Sequence, residues 1–537
     1  MQVNVFCELM SHNLLQSFIN MDTNNYYSGL NKLLSFLLEE WKLLLFFSLV
    51  FFVYFHYTNT FDYFEKRRIK YLKPTIFFGN ILVRLIGKKS FIMFQLDTYK
   101  YFKGQPFGGI FEGRRPVLYI LDSDLIKAIT IRDSDHFIDR AILPTNEPKY
   151  INRSILHLRG SEWKAVRSLV TPAFSSARLK NMFPLIQECT SQLVNFLDKY
   201  NNSDVEIKDM MVHLTLEITG VCAFGISTDS LKDENAEFKK IAMDFNKMSV
   251  SKRLLMFSIL LFAPSLLKYI NISFFNYEAN KKLASILRKT RSERVSTGTR
   301  RNDFLQLLID ASVTEKEDIA NTKNERHLDD DTVDAQALIF LIAGFETTST
   351  LLSFAIYQMA IQPEIQNKLR DHIEEITKGE DFCYDHLVQL DYLDAFVTET
   401  LRMYPPVARI DRKCTKAYTL PGTSVHLKEG DFVAIPAYGI HMDPDIYHEP
   451  EQFKAERFLR EGKNDIPSHL FLAFGAGPRN CIGARFAMVI VKATIVTLVR
   501  NYKFSMCSKT EVPIKFNRKA FLLTAESGVW VRVERIN

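Results

Sequence analysis

FGAGPRNCIGARFA, residues 474–487, sets three glycines and two arginines around one cysteine, Cys481. The chain has only 7 cysteines in 537 residues: Cys7, Cys189, Cys222, Cys383, Cys414, Cys481 and Cys507. The count is odd and no two form a CxxC pair. That argues against a disulfide framework and against a four-thiolate metal site, and it places the bulk of the chain in a reducing compartment. If Cys481 binds a metal, it does so alone or with a cofactor supplying the other ligands. A nucleophile would need a nearby base, and no Cys–His arrangement in the sequence offers one. After Gly483 the pattern turns helical and apolar (ARFAMVIVKATIVTLV). Cys481 therefore sits just before a helix N-terminus, which favours its anionic form.

The length allows one large domain or several small ones with a substantial core. Composition is that of a globular protein, with 47% hydrophobic and 24% charged residues. The formal net charge of +6 suits an anionic membrane surface or an acidic protein partner. It is too diffuse to indicate nucleic acid.

Trp41–Tyr57 reads WKLLLFFSLVFFVYFHY, a single transmembrane anchor with interfacial aromatic residues. Lys66, Arg67, Arg68, Lys70 and Lys73 follow it, and Glu39 and Glu40 precede it. The positive-inside rule puts the bulk of the chain in the cytosol. A cleaved signal peptide and a buried core helix are the alternatives, and the late apolar run without a cleavage site disfavours the first. The expected organisation is a polar extension over 1–40 (lumenal, or not native to the chain), an anchor over 41–57, a basic linker over 58–74 and one catalytic domain over 75–537.

Between Tyr71 and Asp135 the pattern is strand-like, with two β runs in GGIFEGRRPVLYILD around a turn at Glu112–Arg115. Helical periodicity dominates from Glu162 to Ile376. Leu254–Leu267 is apolar but broken by Pro264, a core helix or a shallow membrane contact. Thr314–Arg326 reads as a solvated loop, and KAFLLTAESGVWVRVERI as a terminal hairpin turning at Ser527–Gly528.

Asp329–Asp331 and Asp334 load the start of a helix that Pro363 ends, about 30 residues later. Within it, Gly344 and a Thr347 hydroxyl able to bond the Ala343 carbonyl mark a weak point. Such a distortion opens a groove for a small diatomic, with Glu346 beside it; close helix packing at the glycine is the plainer alternative. Glu399 and Arg402 share a helix face. Arg457 can join them, and Trp163 and Arg167 at i, i+4 can present two donors to an anion.

The pattern F-x-x-G-x-R-x-C-x-G (Phe474, Gly477, Arg479, Cys481, Gly483) arises by chance about once in 20,000 chains of this composition. Each residue has a use if the sulfur ligates haem iron. Gly477 and Gly483 let backbone approach a flat macrocycle, Arg479 pairs with a propionate, and Phe474 packs on the sulfur or ring.

WKAVR, AGFETT, ETLR and FGAGPRNCIG occur in the order found in the cytochrome P450 family of haem-thiolate monooxygenases, and the resemblance runs from about Lys73 to the C-terminus. It implies a mainly α fold with a smaller β subdomain and an N-terminal transmembrane helix. It further implies haem b with Cys481 as axial thiolate, and Thr347 with Glu346 in O₂ activation and proton delivery. Glu399, Arg402 and Arg457 become a bracing network. Trp163, Arg167, Arg479, Arg140 and Arg412 become haem-propionate contacts.

Ile342, Ala343, Phe345, Val407–Ile410, the apolar Leu254–Leu267 stretch and Phe521–Leu523, Leu522 among them, are the expected substrate contacts. Electrons come from NADPH through NADPH–cytochrome P450 reductase, with cytochrome b5 as a second donor, because the chain has no dinucleotide fingerprint of its own. The overall pattern resembles the microsomal branch of vertebrate drug-metabolising and arthropod detoxification enzymes. That favours a lipophilic xenobiotic over a steroid or fatty acid, on the endoplasmic reticulum membrane. The alternatives are a haem-thiolate isomerase or dehydratase that needs no reductase, and a transporter built on the two apolar helices.

Overall fold

The computed structural model describes residues 41–142, 146–234, 236–245, 247, 249–263, 266–267, 269–270, 275–322, 327–459 and 466–536, together with Ser35. The expected extension over 1–40 lies outside them apart from Ser35. The chain divides into two compact units, Met1–Asp62 and Tyr63–Asn537. In the first, helix α1 (Trp41–Thr58) exposes Leu45, Phe47, Phe51 and Phe52. It is long and apolar enough to cross a membrane.

The second unit is mainly helical. Its longer helices are α2 (Phe91–Phe102), α3 (Gly160–Val170), α4 (Ser176–Leu197), α5 (Ile207–Thr219), α6 (Glu237–Asp244), α7 (Val250–Phe262), α8 (Tyr277–Thr297), α9 (Phe304–Thr322), α10 (Asp330–Ile361), α11 (Pro363–Thr377), α12 (Asp391–Met403) and α13 (Ala484–Asn501). Side-chain caps set several starts: Ser90 opens α2, Asn276 opens α8, and Asp329 accepts from the Thr332 N–H at 2.9 Å to open α10.

One sheet has the order β1 (Phe107–Glu112), β2 (Arg115–Ile120), β7 (Phe432–Ile435), β4 (Ile410–Lys413). β1 and β2 form a hairpin with Phe107 opposite Ile120, β7 runs parallel to β2, and β4 is antiparallel to β7. A second sheet places β9 (Trp530–Arg535) between β3 (Ser203–Glu206) and β8 (Tyr502–Ser505), and β5 (Tyr418–Thr419) pairs with β6 (His426–Leu427) in a two-stranded ribbon.

α10 spans 32 residues, about 48 Å, and crosses the interior. Its first half, Val333 to Phe345, belongs to one buried cluster with Trp163, Val166 and Phe224. Its second half, Leu351 to Ala360, belongs to another with α4, α12 and α13. The helix is therefore apolar all round because it is packed all round. The residues between the two clusters include Glu346 and Thr347.

Three readings of the sequence need correction. Of the expected loop Thr314–Arg326, residues 314–322 are the end of α9 and 323–326 lie outside the described residues; Glu315 turns back to accept from the His327 and Leu328 N–H groups at 2.9 and 2.7 Å, so the charged run has a helical use. The last strand does not fold back on residues 519–526. β9 pairs instead with β8 and β3, a long-range choice that local turn chemistry cannot reveal. The strand-like stretch before Asp135 also holds α2, whose apolar face packs against neighbouring helices.

Arg294 is buried and binds Asp303 at 2.7 Å and the Phe224 carbonyl at 2.6 Å. Asp303→Ala leaves that guanidinium without its counter-charge and is expected to lower unfolding free energy by about 3–5 kcal/mol, read from denaturant midpoints. An unchanged midpoint contradicts this account of the α8–α9 joint.

Candidate active site

The loop 474–483 is held by its own backbone. The Cys481 N–H donates to the Phe474 carbonyl at 2.8 Å. Gly475 and Gly477 adopt φ of +74° and +71°, where side chains are strained. A Cβ on Gly477 would lie 1.6 Å from the Thr130 carbonyl oxygen. Gly483, which caps α13, is different: a Cβ there would meet only Phe174, at 3.9 Å. The protein itself leaves that side of the loop open. Phe474 is half-buried and packs against the second core cluster.

Cys481 is exposed. Surrounding protein pushes its thiol pKa up, against the lowering effects of the Gly483 N–H, Arg140 and Arg167. Arg140 and Arg167 act on it directly, Arg412 and Arg479 cluster with Arg140, and the donors of the four are not equally committed. Arg479 is buried and stacked on Trp163 at 3.9 Å. It donates to the carbonyls of Ile138, Ile155 and Leu158 at 2.6, 3.2 and 2.8 Å. It thus closes the loop 138–158, and Asp139 lies 3.7 Å away. Arg167 donates to the Asn480 carbonyl and side-chain oxygen at 3.1 and 2.9 Å.

Arg140 and Arg412 keep donors in reserve. The Arg140 Nε is buried with no partner, and its Nη2 reaches the Arg479 carbonyl at 3.4 Å. Arg412, buried on β4, bonds the Asp411 carbonyl at 3.0 Å. Burial, with Arg140 next in weight, lowers the pKa values of Arg412 and Arg479 to about 9 each. Burial also lowers those of Arg140 and Arg167. A cluster this short of carboxylates, with spare N–H groups, fits a ring bearing two acidic arms.

On α10 the Thr347 hydroxyl donates to the Ala343 carbonyl at 2.7 Å, as the spacing predicts. The helix continues unbroken through this point, so the expected distortion does not appear as a break. Ala343 is exposed in the middle of an otherwise buried helix, which puts Thr347, one turn on, at the edge of the same opening.

Glu346 does not turn toward that hydroxyl. Its Oε1 pairs with Lys208 Nζ on α5 at 2.9 Å, and the same ammonium donates to Thr350 Oγ1 at 2.8 Å. α5 grips the segment at two more points. The Thr215 hydroxyl donates to the Phe345 carbonyl at 3.1 Å, and a Cβ on Gly344 would stand 3.2 Å from Thr219. The plainer reading of Gly344, close helix packing, thus has a geometric basis too.

Glu399 and Arg402 are fully buried and bidentate, at 2.7 and 2.8 Å. Arg457 adds a contact to Glu399 at 3.3 Å. Arg402 also donates to the His441 carbonyl at 2.7 Å and the Pro450 carbonyl at 2.8 Å. His441 links this network to the cysteine loop: its Nδ1 bonds the Arg402 carbonyl at 3.1 Å and its Nε2 accepts from the Leu472 N–H at 2.9 Å. Burial, aided by Arg402, drops its pKa to about 3, so it stays neutral and keeps both roles.

Of the expected substrate contacts, Ala343 and Val407 are exposed, Ile410 and Leu522 half-buried, and Ile342 buried. Phe345 needs correction. It is 1% exposed and sits in the core with Trp163, because two residues along a helix is about 200° around it from Ala343. Lys208, Thr130 and Asn480 have no role in the sequence reading, and His441, which opens the HMDP stretch leading to Arg457, has none of its own there. A lysine opening a helix, or a histidine in HMDP, carries no local sign of the partner it will find 30 to 140 residues away.

The Cytochrome P450 family model matches residues 22–531. The chain is similar to Cytochrome P450 9e2 of Blattella germanica, 37% identical over 500 residues that cover 88% of this chain and 94% of the relative. It is 34% identical to Cytochrome P450 6a8 of Drosophila melanogaster, covering 88% and 95%, and 33% identical to Cytochrome P450 3A9 of Rattus norvegicus, covering 91% and 95%. The chain belongs to the cytochrome P450 family, and with it come the monooxygenase class and the haem-thiolate iron that reacts with O₂.

Gly477→Ala is expected to cost about 2–4 kcal/mol through strain and overlap with Thr130, with a lowered haem-to-protein ratio after purification. Gly483→Ala, with room for its methyl among protein atoms, should leave the unfolding midpoint of the haem-free protein near wild type. Equal losses at both positions contradict this reading of the loop.

Proposed function

We propose that the chain is a membrane-anchored monooxygenase of lipophilic small molecules, with xenobiotics favoured, in which Cys481 ligates haem b. The single observation that carries the site is the group of arginines with unspent donors around a thiol on a strained glycine loop. Haem iron on a cysteine thiolate, once bound, supplies reductive cleavage of O₂, sending one oxygen atom to substrate and the other to water with two electrons and two protons consumed.

The residues of the chain do the rest. Arg140 and Arg412 hold the propionates directly. Arg479 and Arg167 shape the loops that carry them, and Trp163 stacks on Arg479 to fix it. The Gly483 N–H, and the start of α13 behind it, favour the thiolate and moderate its basicity. Glu399, Arg402, Arg457 and His441 fix the approach to the cysteine loop.

The Thr347 hydrogen is spent on Ala343, so its oxygen is left to accept a hydrogen bond from a water or a protonated oxygen at the opening. Glu346 pairs with Lys208, and on release from that pair it takes a proton from solvent water at one carboxyl oxygen and hands it on toward the Thr347 oxygen. Ala343, Val407, Ile410 and Leu522 present apolar surface to the substrate.

Electrons come from NADPH through NADPH–cytochrome P450 reductase, assisted by cytochrome b5. α1 anchors the chain in the endoplasmic reticulum membrane, and the unit Tyr63–Asn537, which takes in most of the basic stretch 58–74, is the catalytic domain on the cytosolic side. The arthropod and rat relatives fit the detoxification branch.

The test is turnover of a panel of lipophilic compounds under ¹⁸O₂ with reductase and NADPH. The expected product carries one labelled atom; unlabelled rearrangement product without NADPH would support the isomerase instead. Glu346→Gln is expected to lower kcat about 100-fold with KM changed less than about threefold. A change confined to KM contradicts the proton-delivery role.

A further inference from the structure

Gln336, in the first half of α10, is 0% exposed, and its amide is spent on backbone. It accepts from the Ile155 N–H at 2.7 Å and donates to the Arg153 carbonyl at 2.7 Å, with a further bond to the Thr332 carbonyl of its own helix at 3.1 Å. A side-chain amide thus pairs with residues 153 and 155 as a neighbouring peptide group would. Ile155 is also held from the other side, where its carbonyl accepts from Arg479 Nη1 at 3.2 Å. One loop residue therefore bridges α10 and the cysteine loop, its N–H turned to the first and its carbonyl to the second.

The place of Gln336 on the helix gives this bridge its use. Gln336 precedes Ala343 by seven residues and Thr347 by eleven, so the three lie within about 20° of one line along α10. Ala343 is exposed at the opening, whereas two turns earlier the segment 153–155 covers the same face. Arg153 also pairs with Asp329, and Lys149 with Asp331 at 3.1 Å. Those ion pairs are partly exposed and hold the loop weakly; the bonds to the buried amide set its register. An apolar side chain at 336 would fill the same volume, but the Ile155 N–H and the Arg153 carbonyl would lose their partner.

We propose that Gln336 is a positioning residue for the surroundings of the Cys481 sulfur. Through Ile155 it fixes Arg479, which also takes the Leu158 and Ile138 carbonyls at 2.8 and 2.6 Å. Arg479 in turn offers its own carbonyl to Arg140 Nη2 at 3.4 Å. The inference rests on the proposed function, because in that reading these arginines serve a haem-thiolate site. It adds that the arginine cage is tied to the helix carrying Thr347 by one side-chain amide, so that the two walls of the site keep a fixed spacing.

The experiment compares the full-chain holoenzyme in phosphatidylcholine nanodiscs as wild type, Gln336→Met and Asp303→Ala. Methionine keeps the length of glutamine but bonds neither backbone group. Asp303→Ala removes a buried ion pair with Arg294 outside this path and controls for a general loss of stability. Two rates are read: haem transfer to excess apomyoglobin, and amide hydrogen exchange in peptides spanning 153–158 and 474–483. Gln336→Met is expected to speed haem transfer about 10-fold, the usual scale for losing an outer partner of a metal site. Exchange at Ile155 and at Cys481 should both rise about fivefold. Asp303→Ala should change each rate less than about twofold. If Gln336→Met does not fold, Gln336→Glu, which keeps the acceptor for the Ile155 N–H, carries the same comparison with about a threefold rise in haem transfer.

Faster exchange at Ile155 with haem transfer and the cysteine loop at wild-type rates makes Gln336 a fastener of the loop alone and overturns the proposal. An equal effect of Asp303→Ala overturns it too. If wild type holds no haem, the proposed function falls together with this inference; if wild type holds haem and Gln336→Met releases it no faster, only this inference falls.

Discussion

Positive charge concentrated around one thiol is the constraint on which the rest of the structure turns. Arg140, Arg167, Arg412 and Arg479 come from a loop, a helix, a strand and the cysteine loop itself, and each loses hydration to reach the same place. Backbone carbonyls absorb Arg479 and the Asn480 side chain absorbs much of Arg167. Among the described residues, Arg140 and Arg412 each bond a single backbone carbonyl and no carboxylate. Folding alone does not explain gathering like charges in this way, because unpaired buried cations destabilise. A dianionic ring does explain it, and the loop glycines and the open side at Gly483 suit the approach of such a ring.

The opposite wall is organised by the crossing of α5 and α10. α10 is buried along both halves, but each half belongs to a different core cluster. At the joint between them α5 supplies Thr219, Thr215 and Lys208, each against a neighbouring residue of α10. The effect is to fix Ala343 toward the opening, Phe345 into the core and Glu346 away from it. A single helix thereby presents an apolar surface, a hydroxyl and a paired acid within one turn, while its backbone stays regular.

Much of this was legible in the sequence, for identifiable reasons. Cys481 could be read because its glycines and arginine make a pattern that packing alone does not require. Long α10 could be read because acidic residues open it and proline closes it. Thr347 could be read because its i−4 carbonyl is fixed by helix geometry. What escaped was set by tertiary pairing: Lys208 against Glu346, His441 between Arg402 and Leu472, and β9 between β3 and β8. The reading of Phe345 failed for a simpler reason, since adjacency in AGFETT is not adjacency on a helix face. Arg140 and Arg412 sat in loose motifs, yet they are the arginines with donors left over, a property visible only once every carbonyl nearby is counted.

The central claim is that Cys481 is an anionic sulfur ligand to haem iron inside this arginine cage. The most direct measurement is the absorption spectrum of the purified, dithionite-reduced protein under carbon monoxide, for wild type and Cys481→His. The account predicts the strongly red-shifted Soret band of thiolate ligation in wild type, and a shift of that band to the imidazole position in the variant. A wild-type carbonyl spectrum of the imidazole type, or one that Cys481→His leaves unchanged, would contradict it.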